Sequence, residues 1–68
     1  MPVVVYIGEK LKEVRTRRLL TQEELAEKAE VSHSTIVNIE RNHAEPHFRT
    51  IRKVAKALDV DPITLLGE

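Results

Sequence analysis

Residues 22–41 read QEELAEKAEVSHSTIVNIER. Thr21 stands just ahead of them, and the resulting TQEE pattern predicts a capping box. In that arrangement the Thr21 hydroxyl and the Glu24 side chain each satisfy a backbone N–H that a helix start leaves without a partner. Leu25, Ala26 and Ala29 are spaced to bury one side of the helix that follows. Ser32 caps the next helix, which runs to about Glu40 with Ile36 and Ile39 facing the core. Two short helices joined by a tight turn, the second with small polar residues on its outer face, have the outline of a helix-turn-helix. That outline suits a short helix laid in the major groove of DNA while its predecessor braces it across the backbone.

Outward from this pair, Ile7, Leu11 and Val14 fall at i, i+4, i+7 and predict a first helix over about Gly8 to Arg18. Asn42 ends the third helix, since Asn tolerates the left-handed conformation better than most residues. Pro46 sits in the next loop. A fourth helix runs from about Phe48 to Leu58. Its Ile51, Val54, Ala55 and Leu58 face inward, and Arg49, Arg52, Lys53 and Lys56 take the opposite face. Asp61 caps a last short helix with Pro62 at its first position, and Val60, Ile63 and Leu66 close the core. The expected fold is therefore all-α, a compact five-helix bundle. Residues 7–68 form the domain, and residues 1–6 are an N-terminal arm or short strand.

Sixty-eight residues allow one domain with a small core. The chain has no cysteine, which removes a disulfide framework and a Cys-based zinc site and fits a cytoplasmic home. No apolar run approaches the roughly 18 residues of a membrane span. The opening MPVVVYIGEK is too short in its apolar run, and too uncharged at its start, for a signal peptide. Eleven basic residues balance eleven acidic ones, but the layout is uneven. Residues 10–18 carry five basic groups against Glu13 alone. Arg49, Arg52, Lys53 and Lys56 have no acid among them, and Glu23, Glu24, Glu27 and Glu30 gather around Lys28. A neutral chain can thus present a basic face, or these runs can be ordinary solvated helix surface.

With TQEELAEKAEVSHSTIVNIER read in this way, the chain resembles the phage Cro/repressor-like family of bacterial DNA-binding domains, the xenobiotic-response-element type. The likeness covers about residues 7–66, and RKVAKALDVDPITLL looks like the family's fourth and fifth helices. The resemblance implies the lambda-repressor-like fold, with helices 2 and 3 as the helix-turn-helix. It also implies a sequence-specific regulator, most simply a repressor, of bacterial, archaeal or phage origin. Two departures stand out. The family usually has Gly at the turn between its motif helices and often at the end of its first helix, where this chain has Glu30 and Leu19. If either position needs positive φ, the cost is on the order of 1 kcal/mol.

On this alignment His33, Ser34, Val37 and Asn38 point into the major groove. The chemistry agrees: Asn pairs bidentately with adenine, Ser and His bond several bases, and a Val methyl can touch the thymine methyl. Gln22, at the start of the second helix, would hold a phosphate. Thr35, Arg41, Asn42, His43, Arg17 and Arg49 are further phosphate candidates, each with a solvated surface side chain as the alternative. In the family an Arg of the first helix often pairs with an acid at the end of the third. Here the matching residues are Arg15 and Glu40, as a partly buried salt bridge or a weaker surface pair.

The implied partner is double-stranded DNA, read as a palindromic operator by a homodimer. Two segments offer a dimer contact: Val60, Ile63 and Leu65, or the β-prone run Val3 to Ile7. A second reading, favoured by the neutral charge, is an antitoxin or protein-interaction adaptor with a toxin or another regulator as partner. An enzyme is disfavoured, because there is no nucleophile–base pair, metal-ligand spacing or Gly-rich phosphate loop. His43 and His47 are four apart, yet Pro46 between them breaks a helical pairing, so no metal or other cofactor is expected.

Overall fold

The computed structural model describes residues 6–66, so the arm expected at 1–6 lies outside them except for Tyr6. Within them are five helices and no strand: α1 (Gly8–Arg17), α2 (Gln22–Ala29), α3 (His33–Glu40), α4 (Phe48–Leu58) and α5 (Pro62–Leu65). No helix among the described residues is long and apolar enough to cross a membrane.

Local chemistry sets most boundaries. Thr21 Oγ1 accepts from Glu24 N at 3.0 Å, and Glu24 Oε1 accepts from Thr21 N at 2.9 Å, so the capping box is complete. Ser32 Oγ accepts from Thr35 N, and Asp61 Oδ1 accepts from Ile63 N with Pro62 opening the helix. Helix α1 has no such local cap, since Ile7 brings no acceptor. Its first N–H, on Gly8, is bonded instead by Asn42 Oδ1 at 3.0 Å, from beyond the end of α3. Glycine permits that approach. A Cβ on Gly8 would lie 2.5 Å from both Glu40 O and Asn42 Oδ1.

The helix ends need left-handed backbone at four non-glycine residues: Leu19, Glu30, Asn42 and Asp59, with φ between 57° and 59°. Both positions where the family favours Gly therefore do adopt positive φ here. At Glu30 this lets Val31 N return to Ala26 O, closing the carbonyls that a helix end leaves open.

Leu11, Leu25, Ile36, Val54, Leu58 and Leu65 are fully buried at the centre, with Ile7, Val14, Ala26, Ala29, Ile39, Ile51 and Ala55 around them. Helix α2 packs on α3 and α4, α5 on α4, and α1 on α3. One expectation fails at α5. Val60 only half-packs against the core, Ile63 and Leu66 are exposed, and Leu65 closes the core in their place. Successive helical residues turn by 100°. Once Leu65 faces inward, Ile63 and Leu66 are directed elsewhere, and a single turn buries one large side chain.

Candidate nucleic-acid interface

Helix α3 has two faces. Ile36 and Ile39 bury one against the core. On the other, His33, Ser34 and Asn38 are exposed and Val37 is half-buried between them. No acidic residue stands in the first turn of α3, so no side-chain charge within that turn offsets the partial positive charge of its N-terminus. The four residues expected at base edges thus share one surface of one helix.

That surface is held by a polar hub under its far end. The Arg15 guanidinium binds Glu40 through two parallel bonds, Nε to Oε2 at 2.6 Å and Nη2 to Oε1 at 3.1 Å. Its Nη1 donates to the Leu20 carbonyl at 2.8 Å. The side chains of Arg15 and Glu40 are 13% and 4% exposed, so this is the partly buried salt bridge and not a surface pair. Gln22 joins the hub, with Nε2 donating to Glu40 Oε1 at 3.2 Å. No buried side-chain nitrogen or oxygen among the described residues lacks a partner.

The expected phosphate contacts divide into those that gather around α3 and one that does not. Gln22 opens α2 beside the hub, half-buried. Thr35 is half-buried, with its hydroxyl 2.7 Å from that of Ser32. Arg41 and His43 are exposed just past α3, and Asn42 between them has its oxygen committed to Gly8. Arg49 is exposed in the first turn of α4, a turn that also carries no acid. Thr35, Asn38, Pro46, His47 and Thr50 line one open cleft of about 270 Å³, which sets the start of α4 beside α3. Arg17 stands apart. It pairs with Glu13 at 2.8 Å and lines a cleft with Val60 and Thr64, on the α5 side of α1.

Sequence reasoning missed three features. His47 is the unassisted N-cap of α4, at the edge of the α3 cleft. Phe48, next to it, is 70% exposed. The Gln22–Glu40 bond spans 18 positions and has no local signature. A His-Phe pair directly after Pro46 was the available signal for the first two. Among the described residues, no group of three or more His, Asp or Glu side chains is arranged to hold a metal ion.

A helix-turn-helix family profile matches residues 11–65. The immunity repressor protein of Bacillus phage phi105 is 40% identical over 62 residues, covering 91% of this chain and 43% of that protein. The regulator SinR of Bacillus subtilis is 41% identical over 63 residues, covering 91% of this chain and 57% of its own length. The chain therefore spans about half the length of the curated relatives it matches. Among solved structures, SinR in complex with DNA superposes with a TM-score of 0.85 at 41% identity, over 88% of this chain and 97% of that one. The restriction-modification controller protein C.AhdI of Aeromonas hydrophila gives 0.86 at 36% identity, over 90% and 92%. The hub, the αL turn at Glu30, the exposed polar face of α3 and these similarities agree: the chain belongs to the Cro/C1-type helix-turn-helix family.

Proposed function

We propose that this chain is the DNA-binding domain of a sequence-specific transcriptional regulator, a repressor in its simplest use, and that α3 enters the major groove. The observation that carries the reading is the polar strip of His33, Ser34 and Asn38 around Val37, on a helix whose opposite face is fixed to the body of the fold. The DNA complex of SinR supports it. Asn38 is assigned to adenine, His33 and Ser34 to neighbouring base edges, and Val37 to a thymine methyl, each pairing worth about 1–3 kcal/mol of discrimination. Gln22, Thr35, Arg41, Asn42, His43 and Arg49 take the phosphates. Arg17 is set aside because its neighbours are Glu13 and α5.

The domain comprises residues 7–68, acts in the cytoplasm and reads a palindromic operator as a homodimer. Leu65 is buried, which removes it from a dimer contact; the exposed Ile63 and Leu66 remain available on α5.

Selection from a randomised DNA pool tests the reading, followed by measurement of the winning site at two salt concentrations with wild type and Asn38→Ala. A palindromic motif, weakened by salt and lost in the variant, is the expected result. A featureless pool with weak binding indifferent to Asn38→Ala would sink it. That outcome would favour the adaptor reading, for which the neutral net charge and the SinR–SinI complex of a relative are the grounds.

A further inference from the structure

We infer that Glu40 is a positioning residue for the phosphate contact of Gln22, an inference that rests on the DNA-binding reading above. Glu40 Oε1 accepts from Arg15 Nη2 and from Gln22 Nε2, while Oε2 accepts from Arg15 Nε. An ionised carboxylate only accepts hydrogen bonds, so only the NH2 end of the Gln22 amide can face it. Reversing the amide would set oxygen against oxygen. An amide that is otherwise free to present either end is thereby fixed in one orientation. One Nε2 proton is used by Glu40, and the second remains for a phosphate oxygen.

The carboxylate is itself immobilised. Arg15 grips both its oxygens and is anchored in turn to the Leu20 carbonyl, one residue before the Thr21 cap of α2. The chain of bonds therefore runs from the α1–α2 connection through Arg15 and Glu40 to the first residue of α2. It sets the end of α3 and the phosphate-binding start of α2 in one register. A base-reading helix and a backbone-gripping side chain must be held at a fixed offset to read one site, and Glu40 belongs to both. Gln22 is consequently ordered before DNA arrives.

The test replaces the phosphates of the selected site by neutral methylphosphonates one at a time. Affinity is then measured for wild type, Gln22→Met, Glu40→Asp and the double variant. Asp keeps the charge for Arg15 but draws the acceptor back from Gln22. In wild type, one position should bind roughly tenfold more weakly when neutralised. Gln22→Met should lose the sensitivity at that position alone, Glu40→Asp should lose it although Gln22 is present, and the double variant should lose nothing more. A merely structural role for Glu40 would weaken binding alike at every phosphate, and that pattern overturns the inference. So does a Glu40→Asp protein that keeps the wild-type pattern while Gln22→Met loses its one position. Wild-type protein that selects no DNA overturns the regulator reading as well, which separates the two failures. Should Glu40→Asp fail to fold, NMR of DNA-free wild type decides. A rigid, shift-dispersed Gln22 side-chain amide supports the inference, and averaged signals like those of a free glutamine overturn it.

Discussion

Arg15 and Glu40 stand 25 positions apart in the chain and meet with Arg15 Nε 2.6 Å from Glu40 Oε2, in a cluster where the carboxylate side chain is 4% exposed. The parallel two-bond geometry matches the planar guanidinium to the carboxylate, a fit that Lys lacks. A pair buried to this degree is costly to break from one side, because the remaining charge keeps its desolvation penalty.

Arg15→Met is therefore expected to lose about 3–5 kcal/mol, read by urea denaturation. The double variant Arg15→Met/Glu40→Leu should recover most of that loss, since no charge is left stranded. A single-variant loss within about 1 kcal/mol would match an exposed pair and reject this account.

Gly8 lies where the end of α3 crosses the start of α1. Gly8→Ala places a methyl 2.5 Å from the Glu40 carbonyl and 2.8 Å from that of Ile39. Both obstacles are backbone and cannot rotate away. The helix must shift, at about 1–3 kcal/mol by analogy with overpacked cores, and the Asn42 cap on α1 should loosen with it. Thermal melting would show the loss. An unchanged midpoint would mean that α1 slides without cost.

Leu19 has φ 59° and is 88% exposed, so its backbone strain is not offset by burial. Leu19→Gly should raise stability by roughly 0.5–1 kcal/mol, the relief at φ exceeding the entropy that glycine adds to the unfolded chain. Glu30→Gly should act in the same direction. Chemical denaturation of both variants checks the sign, and destabilisation in both would contradict it.

The Glu24 carboxyl is held below its usual value of 4.5, first by the Thr21 backbone N–H and then by the Thr21 hydroxyl, with a smaller favourable effect from Lys28 and a counteracting one from burial. A group whose pKa is depressed by folding contributes stability that is present above its unfolded value and is lost as pH falls through the folded one. Glu24→Gln does not titrate yet can still accept the Thr21 N–H bond. The stability advantage of wild type over this variant should then shrink as pH drops below the usual carboxyl value. A difference that stays constant across that range in pH-dependent denaturation would remove Glu24 from the linkage.

Three of the five helix starts, those of α2, α3 and α5, follow from local residue identity. The Thr21–Glu24 box, the Ser32 cap and the Asp61-Pro62 start each rest on residues within three positions of one another, so residue identity alone specifies the bond. The buried stripes of α1, α2, α3 and α4 were legible for a related reason: eight or more residues define a face. Resemblance to a family added the Arg15–Glu40 pairing and the assignment of His33, Ser34, Val37 and Asn38 to base edges that we propose for α3. Tertiary structure alone decided the rest. It selected Leu65 over Ile63 and Leu66, because one turn of helix is too short for periodicity to mark an inner side. It gave α1 its cap from Asn42, tied Gln22 to Glu40 and turned Arg17 toward α5. Those relationships span 18 to 34 positions or depend on where helices cross. Crossing angle and side-chain reach fix them, and neither is written in the spacing of residues along a single helix.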